Sequence, residues 1–333
     1  MKTTIITGAN GFVGSHLLDF LLEQGKEDFL VGLIRSHRSN MDNIAHLKGN
    51  PRVEIVECDL ADAGSVTKAL KCFQLSRIYH LAGQSNVPTS WQEPIATINS
   101  NIIGVVNLFE AVRALPYIPR IFVCGSAEEY GNFDPGRGLR EDDPTNPNNI
   151  YGVTKLAQEK MALVYFYSFG LPVICARPFA HEGPRRGEKF FSGFMANHIA
   201  RIEAGLDEPI IYHGDLTVKR DYMHVRDMVR AYSYAINCEP GEVYNIGAGR
   251  MITTKELLDL FLTYSTAQDR IRLKFEPKFV RPTEARNLYS DSTKFREATG
   301  FLPRVSIAQM VIDMLNFWRK KYGLPAVESV VEE

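Results

Sequence analysis

Short apolar segments alternate with helix-length segments along the first 125 residues of the chain. The apolar segments lie at residues 3–7 (TTIIT), 29–35 (FLVGLIR), 53–59 (VEIVECD), 77–83 (RIYHLAG) and 120–126 (RIFVCGS). None of them shows the strict apolar–polar alternation of a strand with one face in water, and helical patterns separate them. Strands that are covered by helices on both faces form parallel sheets. The pattern therefore predicts an α/β fold with a Rossmann-type, doubly wound parallel sheet.

The pattern changes beyond residue 180, where strand candidates become shorter and loops longer. A helix at about 151–169 and a strand at 171–178 (LPVICARP) complete the first part. We expect residues 1–178 to form the sheet domain, with some later segments returning to it, and residues 179–325 to form mainly a smaller mixed α/β lobe. Residues 326–333 are expected to be a mobile tail.

The overall composition excludes several classes of protein. The formal net charge of -1 gives no electrostatic basis for binding nucleic acid or an acidic membrane surface. No uninterrupted apolar run reaches the ~20 residues that span a bilayer, and the sequence begins directly with a strand rather than a signal peptide. The 5 cysteines form no CxxC pair, which is typical of reduced thiols in the cytoplasm. The 8 histidines show no metal-ligand spacing, so no metal is expected.

Three glycines follow the first strand candidate in the segment TGANGFVG. Gly8, Gly11 and Gly14 have GxxGxxG spacing between that strand and the first helix. Such glycines allow a tight turn and a close approach of the backbone, so that a pyrophosphate can sit on the helix N-terminus. In an alternating β/α chain this position predicts a dinucleotide-binding turn.

The end of the second strand indicates which dinucleotide is bound. A carboxylate there favours NAD, whereas an arginine accommodates the 2′-phosphate of NADP. This chain has Arg35 at the strand end and Arg38 just beyond it, which favours NADP, with NAD possible. Asp59 and Leu60 follow the third strand, where the adenine edge would lie, although Asp59 is equally suited to cap the next helix.

A tyrosine and a lysine four residues apart open the helix at about 151–169. Tyr151 and Lys155 in YGVTK lie on one face of that helix. A nearby ammonium group favours the tyrosinate, so we expect Tyr151 to act as acid or base below its free pKa of about 10. The preceding strand leads into Ser126, which brings a hydroxyl to the same place. This arrangement is typical of a hydride-transfer site.

The motifs together resemble the extended short-chain dehydrogenase/reductase superfamily, and the resemblance covers nearly the whole chain. The segments that carry it are TGANGFVG, CDL, YHLAGQSNVPTSW, GSAEEYG, YGVTK, RPFAHEGPRRG, KRDYMHVRDMVRAY, VYNIGAG and RPTE. Within the superfamily the chain is most similar to the GDP-mannose 4,6-dehydratases, through HEGPRRGEKF, RSHRSNMDNIAHL, GDLTVKRD and RPTE. The GDP-6-deoxy-4-keto-mannose reductases share much of this pattern.

The resemblance implies roles for individual residues. The implied cofactor-binding residues are Gly8, Asn10, Gly11, Phe12, Val13, Gly14, Arg35, Asp59, Leu60, Leu81, Ala82, Gln84, Tyr151, Lys155, His181 and Arg186. The implied catalytic residues are Ser126, Glu128, Tyr151 and Lys155. The implied substrate-binding residues are Ser85, Glu128, Lys189, Arg220, Arg281 and Glu284. Arg220 and Arg281 would face the diphosphate, Glu284 would lie near the nucleoside ribose, and Arg185 adds a further cation.

In the reaction that the resemblance implies, Ser126 bonds the sugar O4 while Tyr151 takes the proton of the 4-hydroxyl and hydride passes to NADP⁺. The 4-ketone acidifies the proton on C5, which Glu128 removes as it helps to expel the 6-hydroxyl as water. Hydride then returns to C6. Glu128 is therefore the informative residue, because a simple reductase or epimerase needs no base at C5. Glu129 is expected to point the other way and to be solvated or structural.

Three residues depart from the dehydratase pattern. Ser126 stands where these enzymes usually have threonine, and Ala180 replaces an asparagine that the family uses near the sugar diphosphate. Gly83 replaces a usual alanine, which would widen the nicotinamide pocket. None of these changes removes Tyr151 or Lys155.

The resemblance leaves four functions open. The favoured one is an NADP-dependent GDP-mannose 4,6-dehydratase, a lyase that recycles its hydride. The alternatives are an NADPH-consuming reductase of a 4-keto-6-deoxy sugar nucleotide, a nucleotide-sugar 4-epimerase, and a dinucleotide-sensing protein without catalysis. Members of this family assemble as dimers through a four-helix interface, or as tetramers in which the basic loop, here 35–43, reaches a neighbour's cofactor. A homodimer or homotetramer is therefore expected.

Overall fold

The computed structural model describes residues 2–25, 29–280 and 287–328. The strands in this part of the chain are β1 (Thr3–Thr7), β2 (Phe29–Ile34), β3 (Val53–Glu57), β4 (Leu75–His80), β5 (Arg120–Cys124), β6 (Val173–Pro178), β7 (His181–Glu182), β8 (Ile210–His213), β9 (Lys219–Arg220), β10 (Met223–His224), β11 (Val243–Ile246), β12 (Ile252–Thr253), β13 (Arg272–Phe275) and β14 (Asn287–Leu288).

The α-helices of the described residues are α1 (Phe12–Glu23), α2 (Ala63–Lys71), α3 (Val87–Gln92), α4 (Pro94–Ile98), α5 (Gly104–Arg113), α6 (Ile150–Phe169), α7 (Phe191–Glu203), α8 (Val225–Ala235), α9 (Thr254–Thr263), α10 (Thr293–Thr299) and α11 (Ile307–Lys321). A π-helical turn, Asn99–Ile103, joins α4 to α5. Short 3₁₀ helices lie at Asp42–Leu47, Ala127–Tyr130, Gln268–Arg270 and Pro277–Phe279.

Seven strands form one parallel sheet in the order β11-β6-β5-β4-β1-β2-β3. The order reverses between β1 and β4, and ligands of such sheets bind outside the carboxyl ends of the strands at this reversal. The sheet confirms the predicted α/β, Rossmann-type fold. Most of the predicted strands end one to three residues later than the observed ones. At those residues the chain no longer makes the hydrogen bonds that pair neighbouring strands of the sheet.

Two apolar clusters cover the two faces of the sheet. One face packs against α1 and α8, through side chains such as Leu17 and Tyr232. The other packs against α2, α5 and α6, through side chains such as Leu70 and Phe109. Because both faces are buried, the inner strands carry near-continuous apolar runs, which is the pattern that predicted a parallel sheet, whereas the edge strand β3 is partly exposed.

The later part of the chain contributes to the sheet and also builds its own core. β11 pairs with β6 at the edge of the sheet. A third apolar cluster lies between α7, α9 and α11, with Ile211 of β8 among its members. We retain the division of the chain at residue 178 as a proposal, with α8, α10 and β11 counted with the sheet half. The described part of the predicted tail is tied to α11, because Val327 exchanges two hydrogen bonds with Asn316.

Pro94–Arg113 is the single helical stretch among the described residues with the length and composition to cross a membrane. Its most apolar 18 residues have a mean hydropathy of 1.4, and 44% of them are buried inside the protein. Val105 and Leu108 on its inner face belong to the core under the sheet. Its outer face exposes Ile95 and Ile103.

Candidate functional site

The glycine-rich turn after β1 leaves no room for a side chain at Gly8 or Gly14. Gly8 has a φ of +70°, and a Cβ there would lie 3.0 Å from the Cα of Ala82. A Cβ on Gly14 would lie 2.3 Å from the carbonyl oxygen of Gly8. Gly11 caps α1 without a side chain, so the first amides of the helix face the turn. The turn therefore fits the backbone approach that a pyrophosphate requires.

The basic loop after β2 is held against this turn. Asn10 donates to the carbonyl oxygen of Asn40 at 3.1 Å, and Asn43 donates to the carbonyl oxygen of Asn10 at 3.1 Å. Arg35 and Arg38 are exposed, and among the described residues neither guanidinium is paired with a carboxylate. The loop therefore presents two cations beside the end of β2.

The ends of β3 and β4 form the neighbouring wall. The Thr7 hydroxyl oxygen accepts from the amides of Leu81 and Ala82, at 3.1 and 3.0 Å, which fixes the chain that leaves β4. Asn107 donates to the carbonyl oxygen of Leu60 at 2.8 Å. The alternative role of Asp59 as a helix cap is wrong, because Asp62 caps α2 and accepts from Gly64. Phe12 and Val13 are half-buried at the start of α1, and Ser85 is exposed beyond Gln84.

Asn101 belongs to this wall and was missed by the sequence analysis. Its Oδ1 accepts from the backbone N–H of Gln84 at 2.8 Å, and its Nδ2 donates to the Thr154 hydroxyl at 2.9 Å. It lies in the π-helical turn, a feature that is frequent at functional sites. An asparagine directly before the apolar run IIGVV was the signal in the sequence. A Cβ on Gly83 would lie 2.9 Å from Asn101 Oδ1, so the glycine makes room for this side chain.

Ser126, Tyr151 and Lys155 come together, each less than 10% exposed. Ser126 follows β5 and caps the 3₁₀ helix Ala127–Tyr130, where its hydroxyl accepts from the Glu128 amide at 3.2 Å. Its side chain is hydrogen-bonded to Tyr151. Asn149 caps α6 and so fixes the first turn of the helix that carries both Tyr151 and Lys155.

The electrostatics of Tyr151 correct one expectation. Burial raises the pKa of Tyr151 above its ordinary value, and its hydrogen bond with Ser126 opposes this only in part. Lys155 donates instead to the Cys124 carbonyl oxygen at 2.6 Å and to Gln158 Oε1 at 3.0 Å. Burial also lowers the pKa of Lys155. The predicted stabilisation of the tyrosinate is therefore absent from this arrangement, because Lys155 is directed to other acceptors.

The two adjacent glutamates occupy opposite environments. Glu128 is half-buried, and its Oε2 accepts from Asn149 Nδ2 at 2.8 Å. Its charge is close enough to influence the pKa of Tyr151. Glu129 is 0% exposed and faces Arg177, so the expectation of a solvated Glu129 is wrong and a structural one remains.

Two residues of the β7 loop stack against α1. The His181 ring lies parallel to the Phe12 ring, with centroids 6.1 Å apart. The Arg186 guanidinium lies 5.0 Å from the centroid of the Phe12 ring and 3.6 Å from that of Phe190, and it pairs with Glu182 at 3.0 Å. Burial lowers the pKa of His181 to about 4, so its ring is neutral at pH 7. Both side chains therefore border the glycine-rich turn.

The basic residues that were predicted to bind the substrate do not converge on one point as the catalytic residues do. Arg185 has a φ of 69° and pairs with Asp19 of α1 at 2.7 Å. It lines a cavity of about 930 Å³ against α1, α8 and α11, to which Tyr151 does not contribute. Lys189 is exposed, and Arg220 is half-buried on β9. Arg281 and Glu284 lie outside the described residues.

Comparison with known proteins gives consistent matches over almost the whole chain. Residues 5–314 match the family described as GDP-mannose 4,6 dehydratase. GDP-mannose 4,6 dehydratase 1 of Arabidopsis thaliana is 30% identical, over 95% of this chain and 89% of that protein. GDP-6-deoxy-D-mannose reductase of Pseudomonas aeruginosa is 29% identical, over 95% of this chain and 97% of that protein.

A solved structure extends the match to three dimensions. The structure of RMD from Pseudomonas aeruginosa, complexed with NADPH, superposes with a TM-score of 0.82 and 28% identity. The match covers 96% of this chain and 100% of that one.

Proposed function

The chain belongs to the GDP-mannose 4,6 dehydratase family, and from that membership we propose that it converts GDP-mannose to GDP-4-keto-6-deoxymannose with NADP as a recycled cofactor. The observation that carries the proposal is the convergence of Ser126, Tyr151 and Glu128 at the carboxyl end of β5. A hydroxyl, a phenol and a carboxylate at one point are the groups that oxidation at C4 and elimination across C5 and C6 require.

The glycine-rich turn and the basic loop support the choice of cofactor. The turn would hold the pyrophosphate on the N-terminus of α1, and Arg35 and Arg38 would hold the 2′-phosphate. His181 and Arg186 would close this site from the β7 loop. When bound, NADP supplies a hydride acceptor at C4 and a hydride donor at C6. The match to an NADPH complex from Pseudomonas aeruginosa is consistent with this choice.

Tyr151 serves as the proton acceptor for the 4-hydroxyl in this proposal. The phenolate form of Tyr151 takes that proton and becomes the neutral phenol that burial favours. Ser126, which is hydrogen-bonded to Tyr151, can donate a hydrogen bond to the same substrate oxygen. Lys155, one helical turn away on α6, would stabilise the phenolate once its ammonium group turns from the Cys124 carbonyl oxygen towards Tyr151.

Glu128 serves as the base at C5. Asn149 holds one carboxylate oxygen at 2.8 Å and so leaves the other oxygen to act on the substrate. Because Asn149 also caps α6, the position of Glu128 is fixed relative to Tyr151. The carboxylate takes the C5 proton and gives it to the departing 6-hydroxyl, which leaves as water. When hydride adds at C6, C5 regains a proton, which the one that Tyr151 took from the 4-hydroxyl balances.

The substrate diphosphate would be held by the later lobe. Arg220 and Lys189 supply charge on that side of the site. Ser85, exposed at the end of β4, would bond a sugar hydroxyl. Ala180 offers no polar side chain where the family uses asparagine, and its carbonyl oxygen accepts from Met223 at 2.9 Å.

The proposal is tested with purified protein, GDP-mannose and NADP⁺ at a small fraction of the substrate concentration. We expect many turnovers to the 4-keto-6-deoxy product, detected by NMR, without net formation of NADPH. An absence of turnover under these conditions, with the substrate shown to bind, would contradict the proposal.

A Glu128→Gln variant separates elimination from hydride transfer. We expect product formation to fall by about 10²- to 10⁴-fold, the usual contribution of a general base. A single turnover should still generate the reduced-cofactor absorbance, because oxidation at C4 does not use Glu128. Full retention of product formation would remove Glu128 from this role.

The second candidate function is reduction of a 4-keto-6-deoxy sugar nucleotide with NADPH. The 29% identity to a GDP-6-deoxy-D-mannose reductase over nearly its whole length favours it. Stoichiometric consumption of NADPH with the 4-keto substrate, unaffected by Glu128→Gln, would establish this function instead.

The outer faces of the helices around Pro94–Arg113 and α6 support a homodimer. They expose Ile95 at 69% and Ile103 at 43% on one stretch, and Val153 at 51% and Tyr167 at 75% on the other. Apolar side chains on two neighbouring helices suit a four-helix contact with a second copy. We further place the enzyme in the cytoplasm, where its five free cysteines stay reduced.

A further inference from the structure

Glu129 lies directly behind the proposed catalytic residues, in the interior of the protein. The 3₁₀ helix Ala127–Tyr130 turns the chain, so that Glu128 stays at the site while Glu129 enters the core. Glu129 Oε1 accepts from the Ser126 amide at 2.7 Å. A Cβ on Gly125 would lie 2.5 Å from that oxygen, so the glycine leaves space for the carboxyl group.

One guanidinium serves two carboxyl groups at this point. Arg177 donates from Nε to Glu159 Oε2 and from Nη2 to Glu159 Oε1, both at 2.8 Å. Its Nε also lies 3.3 Å from Glu129 Oε2. The remaining donor, Nη1, bonds the Tyr130 hydroxyl at 2.8 Å and the Glu141 carbonyl oxygen at 3.1 Å. Four of the five N–H groups of Arg177 are therefore used, and the one on Nε, which lies 3.3 Å from Glu129 Oε2, is donated to Glu159.

Inside the protein two carboxyl groups share one guanidinium, while Lys160, which donates to Glu159 Oε1 at 3.1 Å, is 57% exposed, so water screens its charge. The buried charges therefore balance only if one carboxyl group keeps a proton. Glu129, Glu159 and Arg177 are 0%, 1% and 3% exposed, and an unpaired charge at such a place costs several kcal/mol. Glu129 Oε2 accepts no hydrogen bond from the described residues as a carboxylate, whereas a proton on it can be shared with Glu159, since two ionised carboxylates have no proton to share.

The pKa directions of the two glutamates agree with this assignment. Burial, followed by the charge of Glu159, raises the pKa of Glu129 well above its usual range. Burial acts to raise the pKa of Glu159, but the hydrogen bonds and charge of Arg177, together with Glu129 and Lys160, outweigh it and lower that pKa. The proton therefore belongs to Glu129.

We propose that Glu129 is a positioning residue that stays protonated, fixing Ser126 through its backbone amide and donating its proton to Glu159. This inference rests on the proposed function only in the role that it gives Ser126. The protonated state keeps the cluster neutral behind the site.

An ionised Glu129 would disturb the groups around it. The titratable and charged groups that face Glu129 are Tyr151, Lys155 and Glu159 on α6, Cys124 on β5, and Cys175 and Arg177 on β6. A negative charge on Glu129 raises the pKa of Tyr151 further, so that less of the phenolate form is present to act as a base. The proton on Glu129 removes this penalty.

Two variants test the proposal. Glu129→Gln keeps an oxygen for the Ser126 amide and an N–H for Glu159, so it mimics the protonated acid. We expect its kcat to stay within about threefold of the wild type. Glu129→Leu removes both groups, leaves the Ser126 amide unpaired and should lower kcat by about 10- to 100-fold with little change in KM, given the cost of an unpaired buried donor.

A measurement besides activity identifies the proton. The infrared difference spectrum between wild type and Glu129→Gln at pH 7 should contain the C=O band of a protonated carboxylic acid. The absence of that band, or a loss of kcat in Glu129→Gln as large as that in Glu129→Leu, would overturn the proposal. If Glu129→Leu fails to fold, the spectrum and Glu129→Gln still decide.

The same design distinguishes failure of the inference from failure of the proposed function. If the wild type turns over none of the proposed substrate, the function is wrong, while the infrared band still reports the state of Glu129. Glu128→Gln is the matched control, since the neighbouring residue should lose activity through the same chemical change.

Discussion

The sheet half and the later lobe present their proposed site residues in different ways. In the sheet half, the glycine-rich turn, Ser126 and Tyr151 follow strands of one parallel sheet, and each is fixed by hydrogen bonds or close packing. In the lobe, Arg220 lies on the two-residue strand β9, and Arg185 turns to α1.

This difference shows what a parallel sheet provides. The carboxyl ends of its strands meet at one edge, so residues far apart in sequence are brought together by the fold itself. Short strands linked by long loops impose no such meeting point. We therefore expect changes in the sheet half to affect kcat and changes in the lobe to affect KM.

The largest effect is expected from Tyr151→Phe. Removal of the phenol hydroxyl takes away the proposed proton acceptor, and kcat should fall by about 10³-fold. Product formation from GDP-mannose measures this change. The control is Tyr167→Phe on the same helix, whose side chain is 75% exposed and should leave kcat unchanged. If the Tyr151→Phe enzyme stayed active, the proposed dependence of kcat on the sheet half would be contradicted.

Arg35→Ser tests the cofactor side of the sheet half. Loss of one exposed guanidinium beside β2 should weaken NADP binding by about 10-fold or more, while NAD binding changes little. Titration calorimetry with both dinucleotides measures the ratio. Lys48→Ser, an exposed change farther along the same segment, is the control. Equal weakening for both dinucleotides would exclude recognition of the 2′-phosphate.

Arg220→Ala tests the lobe. We expect KM for the sugar nucleotide to rise by about 10-fold, as for the loss of one charge-assisted hydrogen bond, with kcat nearly constant. Lys219→Ala is the control, because neighbouring strand residues point to opposite faces. A fall in kcat without a change in KM would mean that the lobe also orients the reacting sugar.

The smallest effect concerns acid stability in the sheet half. Burial, followed by the charge of Lys155, lowers the pKa of His80 to about 3. In the unfolded chain a histidine has a pKa of about 6.5, so below that pH the unfolded state binds a proton that the folded state does not. Stability therefore falls as the pH falls from 6.5 towards 3.

Urea unfolding at pH 7 and pH 5.5 measures this loss. The wild type should lose about 1 kcal/mol more than His80→Asn over this interval, because asparagine cannot titrate. An equal loss in both proteins would place the acid sensitivity elsewhere, for example at His16, whose pKa is lowered to about 4, chiefly by burial.

The sequence predicted the site best where local patterns and the sheet agree. The strand–glycine–helix pattern located the turn at Gly8, and the spacing of Tyr151 and Lys155 placed both on one helical face. It could not predict the direction of Lys155, because the Cys124 carbonyl oxygen comes from a strand that is distant in sequence. It missed Asn101 for the same reason, since that side chain acts through Gln84 and Thr154.

The sequence by itself determined the α/β class, the alternation of strands and helices up to residue 178, the glycine turn and the family. These depend on periodicity and on short motifs, which are local properties of a chain. Only the tertiary structure decided that Glu128 stays at the site while Glu129 enters the core beside Arg177 and Glu159. Identical neighbouring side chains carry no local signal of their surroundings, and their charges depend on groups that folding brings from other strands and helices.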